Sequence, residues 1–357
     1  ANAFHDENYA REVMQLFTIG IYELNPDGTQ KLDVDGRPIP TYDNADIREF
    51  SKIFTGLAYA GEEGQEPQFG RNRAVLHAPM VMFDGYHEQG EKYLLNEFVV
   101  PDGQTGIQDI DDAVDNLFNH PNVGPFVGKQ MIQRLVSSNP SPEYVSRISA
   151  VFADNGNGVR GDMQAVIRAI LTDPEVADAS RVREPFRRFI ASNRALNTAP
   201  SAGSDIGVTG LFVENATGQM VLTAPSVFNF YSPFYRPQDG QGLVSPEMQI
   251  TSEDTIVGVT NLMFQLLYGD RPMHNNPELP AVRLDLTSME SLADDKEELL
   301  TRIERLFFAG TMSEHTRTVI SGAFDEAASS TPADSVKLAL YLALSAPDQA
   351  VAERNTL

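Results

Sequence analysis

The chain has 357 residues, 41% hydrophobic and 22% charged, and a formal net charge of −23. This length and composition support a large folded core and exclude disorder of the chain as a whole. The acidity argues against nucleic-acid binding, which needs Lys and Arg at the phosphates, and against adhesion to anionic membranes. Since the chain has no cysteine, disulfides, thiolate metal ligands and thiol nucleophiles are excluded.

Residues 5–20, HDENYAREVMQLFTIG, combine charged and amide side chains with an apolar helical face. A spacing of four, three and four residues predicts one apolar stripe, made of Tyr9, Val13, Leu16 and Gly20. A polar ladder is predicted beside it, formed by Glu7 with Arg11 and Asn8 with Glu12. We expect His5 or Asp6 to cap the helix. The ladder is either an ordinary solvated face or a polar cluster packed against other elements.

An irregular hairpin excursion is expected over residues 21–42, because the turn signals NPDG and DVDG lie within this segment. Asp43 or Asn44 then caps a second helix. The apolar stripe of that helix is predicted to consist of Ile47, Phe50, Phe54 and Leu57. Short strands are expected near residues 74–83 and 93–99, in a region rich in Gly, Pro and polar side chains.

Helices are predicted from residue 107 to about residue 196 and again from residue 252 to the end, with a further loop over residues 269–288. The segment 197–251 is dense in Pro, Gly and aromatic residues. Five aromatics fall within eight positions of it, namely Phe228, Phe230, Tyr231, Phe234 and Tyr235. We therefore expect this segment to be a packed, structured loop and not a flexible linker.

Residues 135–174 and 307–347 resemble each other as helical hairpins. In each, a serine that starts the first helix, Ser141 or Ser313, lies eleven positions before a phenylalanine that ends it. A proline stop follows 33 or 34 positions after that serine. We interpret the two as an internal repeat, with chance similarity as the alternative. The predicted fold is mainly α, a multi-helix globular array with this repeat, minor short β-hairpins and long structured loops.

Seven motifs follow one another along the chain. They are HDENYAREVMQLFTIG, DIREFSKIFTGL, FDGYHEQGEKYLL, HPNVGPFVGKQMIQRLV, RGDMQAVIRAILTDPE, REPFRRFIASNRAL and APSVFNFYSPFYRP. The first resembles a NENYARELMEL-type motif, and all seven match, in order, the bacterial family called domain of unknown function 1800. The resemblance covers nearly the whole chain. It implies one family domain over residues 1–357, with sub-blocks 1–106, 107–199, 200–251 and 252–357.

The resemblance also implies a location and a partner. In the family the NENYARE-type helix lies near the middle of a longer protein, so we expect a missing N-terminal segment or a separate chain to cover the stripe of the first helix. Family members are generally exported, which implies a periplasmic or extracellular location. The neighbouring gene often encodes a protein resembling the alkaline phosphatase and sulfatase superfamily, the expected partner. No membrane span is expected, because no run of about eighteen apolar residues occurs.

The sequence lacks the common catalytic signatures, including a GxSxG elbow, a P-loop, a dinucleotide fingerprint and a HExxH pair. Candidate catalytic residues of an unrecognised polar site are Glu7, Asn8, Arg11, Glu12 and His87. His87 is included because it matches a family histidine and has Asp84, Glu88 and Lys92 nearby in sequence. The alternative is a loop histidine that bonds to backbone.

Two other polar groups are interpreted as structural. His120 precedes Pro121, which indicates a helix start. A charged cluster lies ahead of the apolar stripe FIASNRAL and consists of Arg183, Glu184, Arg187 and Arg188. Ion pairs within one helix are expected to explain this cluster.

Two acidic turns offer the oxygen ligands that calcium prefers. The calcium candidates are Asp33, Asp35, Asp43, Asp154, Asn155, Asn157 and Asp162. Neither turn completes an EF-hand loop, since the twelfth position from Asp33 holds Asn44 where a glutamate is required. The alternative is an ordinary turn with a helix-capping aspartate. Calcium is the only cofactor that the sequence suggests.

These observations lead to three functional hypotheses. The leading one is an exported helical scaffold or partner-binding protein that acts with the phosphatase- or sulfatase-like neighbour. The first alternative is a hydrolase or metal-dependent enzyme that uses the unrecognised polar site. The second is a calcium-stabilised extracellular surface or matrix protein.

Overall fold

The computed structural model describes residues 5–61, 68–70, 77–197, 199–200, 211–238, 240–269, 282–327 and 331–353. The fold is mainly α-helical with short antiparallel strand pairs, which confirms the predicted class. The chain forms two compact units. Unit 1 comprises Ala1–Ile132 and Pro140–Ile170, and unit 2 comprises Gln133–Asn139 and Leu171–Leu357. The assignment of both units to a single domain stays a prediction.

Unit 1 begins with two helices, two small hairpins and a third helix. These elements are α1 (Glu7–Gln15), α2 (Asn44–Ile53), β1 (Leu57–Ala58), β2 (Val81–Met82), β3 (Lys92–Tyr93), β4 (Val99–Val100) and α3 (Gly106–Phe118). Strand β1 pairs with β2, and β3 with β4. Three more helices follow, α4 (Val123–Leu135), α5 (Pro142–Ala153) and α6 (Met163–Thr172), and the division between the units falls within α4 and α6.

Unit 2 contains the remaining elements. They are β5 (Ser180–Val182), α7 (Pro185–Ala195), β6 (Ala199–Pro200), α8 (Leu211–Thr217), α9 (Glu253–Tyr268), β7 (Val282–Arg283), α10 (Thr287–Glu290), α11 (Lys296–Ile303), α12 (Glu314–Glu326), α13 (Pro332–Ser345) and β8 (Val351–Glu353). Strand β5 pairs with β8, and β6 with β7. The core is built from the apolar faces of α7, α9, α11, α12 and α13. Helix α8 falls inside the segment predicted as loop.

Local cap signals account for most helix starts. Asp6 caps α1 by accepting a hydrogen bond from the Asn8 amide, and Asp43 forms a capping box with Asp46 at α2. The predicted serine caps are present as well, at Ser141 of α5 and Ser313 of α12. These caps support two helical hairpins, but the internal repeat itself stays a prediction.

Helix α1 ends at Gln15, earlier than the amphipathic pattern predicted. The chain turns there because Gly20 has φ +74° and packs so tightly that a Cβ would lie 2.7 Å from the Phe126 ring. The buried residues of the helix are Ala10 and Met14. The face that this chain buries is therefore that of Ala10 and Met14, beside the predicted stripe.

Tyr9 instead lies at the edge of unit 1. It stays 50% exposed while its ring packs edge-on against Phe54, with 4.8 Å between ring centres. Val13 and Leu16 are partly buried. Since the described residues of the chain do not fully cover these three side chains, the covering segment or partner stays a prediction.

The excursion over residues 21–42 is irregular, as expected, with isolated bridges in place of strands. Its entry is held by Asn122, a side chain that is 1% exposed. The Asn122 amide donates to the carbonyls of Ile19 and Tyr22 at 2.9 and 2.8 Å, and its oxygen accepts from the Leu24 amide at 2.9 Å. Three backbone groups of a strandless segment are thus satisfied by one buried side chain.

None of the helices in the described ranges combines the length and the apolarity that a bilayer crossing requires.

We expect Asn122→Ala to lower the free energy of unfolding by about 2–4 kcal/mol, because three backbone groups would lose their partner in a buried setting. Urea denaturation measures this change. Asn119→Ala is the matched control, since Asn119 is exposed and bonds only to a carbonyl of its own helix. Equal losses for both variants would contradict the anchoring role of Asn122.

Candidate functional site

The predicted polar ladder of α1 lies on the surface of unit 1. Glu7 is 3.7 Å from the Arg11 guanidinium and 4.0 Å from that of Arg48, and the Asn8 oxygen accepts from Arg11 at 3.2 Å. The predicted Glu7–Arg11 pair is present, whereas Asn8 bonds to Arg11 and not to Glu12. Exposed pairs of this kind contribute between about 0 and 1 kcal/mol each. The ladder is therefore available to a partner at little cost to stability.

Glu12 differs from the rest of the ladder, because one carboxylate oxygen is buried without a hydrogen-bond partner among the described residues. Tyr42 belongs to the same neighbourhood, and its hydroxyl donates to Gln15 at 3.4 Å. Burial raises the pKa of Tyr42, while Arg11 lowers it and Glu12 raises it. The structure thus brings Glu12, Arg11 and Tyr42 together.

His87 points into unit 1. Its Nε2 lies 2.9 Å from a carboxylate oxygen of Asp109, and its Nδ1 lies 3.0 Å from the Thr55 carbonyl. The same Asp109 oxygen accepts from Lys92 at 2.7 Å, and the other accepts from Gln104 at 3.1 Å. We call these five residues the Asp109 cluster. The His87 side chain is 0% exposed and those of Asp109 and Lys92 are 1% and 2% exposed, so the cluster is internal.

The electrostatics of the Asp109 cluster favour a charged carboxylate. Burial alone would raise the pKa of Asp109, but the hydrogen bonds from Lys92, His87 and Gln104 outweigh it and hold the pKa below its ordinary value. Both ring nitrogens of His87 face oxygen atoms, one of Asp109 and one of the Thr55 carbonyl. The arrangement binds three segments of the chain together.

The five candidate catalytic residues therefore occupy two settings. Glu7 and Asn8 are exposed on α1, Arg11 and Glu12 lie partly buried beside them, and His87 is enclosed. The link between the two motifs is an ion-pair contact of 3.6 Å between His5 and Glu88. A catalytic role for these residues stays a prediction.

His120 lies at the start of α4, where the sequence predicted a helix-start residue. Its Nδ1 accepts from the Asn122 amide at 3.1 Å. Burial lowers the pKa of His120. The residue thus fixes the turn that positions Asn122.

In each acidic turn, side-chain oxygens accept hydrogen bonds from backbone amides of the same turn. Asp33 accepts from the amides of Asp35 and Arg37, and Asp154 accepts from those of Gly156 and Gly158. The other calcium candidates behave similarly: Asp43 caps α2, Asn155 accepts from the Asn157 amide, and Asp162 accepts from Gln164 and Ala165. Within the described ranges, no three His, Cys, Asp or Glu side chains are grouped as metal ligands. Calcium binding stays a prediction.

A second polar centre lies in unit 2, where the sequence analysis placed no site. Tyr231 donates to Glu184 at 2.8 Å, and Gln219 donates to the same oxygen at 2.9 Å. The Arg134 guanidinium lies 4.7 Å from the centre of the Tyr231 ring. Burial, followed by the nearby Glu184 charge, raises the pKa of Tyr231. These contacts tie the aromatic segment to the start of α7.

A buried ion pair adjoins this centre. Arg181 donates to Glu247 at 2.9 Å and to the Arg134 carbonyl, and the Arg181 and Glu247 side chains are only 6% and 1% exposed. The second Glu247 oxygen and the Arg181 Nε have no partner among the described residues. Because a buried pair with unsatisfied atoms adds little net stability, its main effect is to fix the position of the segment that carries Glu247.

The interpretation of the Arg183–Glu184–Arg187–Arg188 cluster as pairs within one helix is wrong. Glu184 bonds to Tyr231 and Gln219, and none of the three arginines lies within 4.0 Å of a carboxylate in the part of the chain that the structure describes. Sequence spacing alone could not show this, because the partners of Glu184 lie 35 and 47 positions away. The APSVFNFYSPFYRP motif was the available signal.

We expect Asp109→Asn to lower the free energy of unfolding at neutral pH by about 3–5 kcal/mol, because Lys92 would be left buried without a counter-charge and His87 without its carboxylate partner. Since the Asp109 pKa is lowered on folding, this stabilisation is present above its ordinary value of 3.8 and is lost as the pH falls through the folded value. Urea denaturation across the acid range measures it. Asp115→Asn, on an exposed position of α3, is the control, and an equal effect there would refute the role of the cluster.

If the acidic turns bind calcium, millimolar calcium should raise the melting temperature, because a ligand that binds only the folded state stabilises it. Thermal melts with calcium and with excess chelator test this. Asp154→Asn should reduce the shift, while Asp115→Asn should leave it unchanged. Identical melting curves with calcium and chelator would remove calcium from the account.

The model of the family described as protein of unknown function (DUF1800) matches residues 1–351. No curated protein and no solved structure is significantly similar to the chain. The match covers nearly the whole sequence and includes both the Asp109 cluster and the Tyr231 centre. The chain therefore belongs to the DUF1800 family.

Proposed function

We propose that this protein is a non-catalytic scaffold that binds a partner protein. The observation that carries the proposal is an exposed apolar surface on the aromatic segment of unit 2. We call it the loop surface, and it consists of Leu222, Val227, Phe228, Phe234 and Leu243. Their exposed fractions are 99%, 54%, 54%, 62% and 59%. Concentrated apolar exposure of this kind is typical of a protein-binding site.

The loop surface is held by a hydrogen-bonded framework. The Ser232 amide donates to the Gln249 side chain at 2.7 Å, and the Ser245 amide donates to the Tyr235 carbonyl at 2.9 Å. Asn139 both donates to and accepts from the backbone of Val244, at 2.8 and 2.9 Å. Because these bonds fix the backbone before binding, less conformational entropy is lost when a partner binds.

The contacts of Tyr231 also support the proposal. Tyr231 is 4% exposed, although its neighbours in the segment reach solvent. Its ring is enclosed by Arg134 and its hydroxyl is bonded to Glu184, so the segment has one inward anchor among outward aromatics. This alternation is the arrangement expected of a preformed binding loop.

The partner that we propose is the protein resembling the alkaline phosphatase and sulfatase superfamily, whose gene often neighbours that of the family. We further propose that both proteins act outside the cytoplasm, as the family resemblance implies. The enzymatic alternative has less support, because Glu7 and Asn8 are exposed whereas His87 is enclosed by structural hydrogen bonds.

We expect the double substitution Phe228→Ser with Phe234→Ser to abolish or strongly weaken co-purification with the coexpressed phosphatase- or sulfatase-like protein. The melting temperature of the variant should stay close to that of the wild type, since both side chains are more than half exposed. Tagged pull-down followed by calorimetric titration measures the effect.

The matched control is Leu32→Ser with Val34→Ser, which removes two apolar side chains that are 56% and 103% exposed on the excursion of unit 1. It should leave co-purification intact. Equal capture by all three proteins, or no capture by the wild type, would refute the proposed partner and surface.

A further inference from the structure

Three arginines of unit 2 lie where α7 begins. Arg183 precedes the helix, and Arg187 and Arg188 occupy its first turns. The first turn contains no acidic residue. Because the N-terminus of a helix carries a partial positive charge, three cations at this position are electrostatically unfavourable. The N-cap residue, Glu184, is acidic, but among the described residues it forms no ion pair with any of the three.

Two of these guanidinium groups converge on one buried glutamine. Arg188 donates to the Gln349 side-chain oxygen at 2.6 Å, and Arg183 donates to the Gln349 carbonyl at 3.5 Å. Their other bonds also end on neutral carbonyls, at Leu344 for Arg188 and Phe307 for Arg183. The two like charges are therefore close together and share no anionic partner among the described residues.

Glu184, next to Arg183 in sequence, and Asp348, next to Gln349, are both engaged with other partners. Glu184 accepts from Tyr231 and Gln219, and Asp348 accepts from the Ser313 amide and the Thr316 hydroxyl. Burial, and then the charge of Arg183, lowers the pKa of Arg188 to about 10.

The Phe307 carbonyl belongs to a π-helical turn, Glu304–Phe308, that directly continues α11. Such turns are uncommon and are frequent at functional sites. Ala309, the next residue, has the left-handed φ of +55°. The turn presents to Arg183 a carbonyl that orients its guanidinium, while Arg187 is exposed and has no partner in the described chain.

We propose that Arg183, Arg187 and Arg188 form a binding site for a divalent oxyanion of the phosphate or sulfate class. Arg183 and Arg188 are held in place by carbonyls and keep donors that those carbonyls do not use. Arg187 supplies a mobile third guanidinium from the solvent side. Three guanidinium groups suit a doubly charged tetrahedral anion better than a single carboxylate.

The test uses the full chain with inorganic phosphate and inorganic sulfate as probes, by calorimetric titration and thermal melting. Sodium chloride at matched ionic strength controls for screening. Arg187→Gln removes only the exposed member, which forms no hydrogen bond or ion pair with the described residues. Arg194→Gln removes an equally exposed arginine from the last turn of the same helix and is the matched control.

We expect the wild type and Arg194→Gln to bind phosphate or sulfate with equal affinity, and Arg187→Gln to bind about tenfold more weakly, the effect of one charged hydrogen bond. Chloride should give no comparable stabilisation. Equal affinities for both variants, or equal stabilisation by chloride, would overturn the site. The outcome is independent of partner binding, because the chain is tested alone.

Discussion

The structure depends on side chains that supply hydrogen-bond partners to the backbone of long segments that are neither helix nor sheet. In unit 1, Asn122 supplies this for residues 19–24. In unit 2, Asn139 does so for Val244. A buried backbone group without a partner costs about 1–3 kcal/mol, so a few side chains decide whether such segments are ordered.

The charged side chains of the interior differ in how their charge is compensated. The chain has a net charge of −23, yet the described interior contains cations whose partners are specific. Lys92 is neutralised by Asp109, and Arg181 by Glu247. Among the described residues, Arg183 and Arg188 bond only to carbonyl oxygens, as Arg160 does in unit 1, but they differ from Arg160 in lying together at Gln349. Structural clusters and a candidate ligand site can thus be separated by asking what compensates each buried charge.

Sequence reasoning succeeded where the determinants are local. The caps at Asp6, Asp43, Ser141 and Ser313, the helical class and the structured aromatic segment all follow from short-range patterns. It failed where a side chain is selected by a distant partner. Helix α1 buries Ala10 and Met14, so Tyr9 stays exposed. His87 turns inward to bond to Asp109, a partner that lies 22 positions away along the chain. The bonds of Glu184 to distant residues replaced the expected helix pairs for the same reason.

The central claim is that the loop surface of unit 2 is preformed. Hydrogen exchange of its amides is the most direct measurement. The amides of Ser232, Val244 and Ser245 should exchange much more slowly than unstructured peptide, and Tyr231→Phe, which removes only the bond to Glu184, should speed them. Exchange of these amides at the rate of a free peptide in the wild type would contradict the claim.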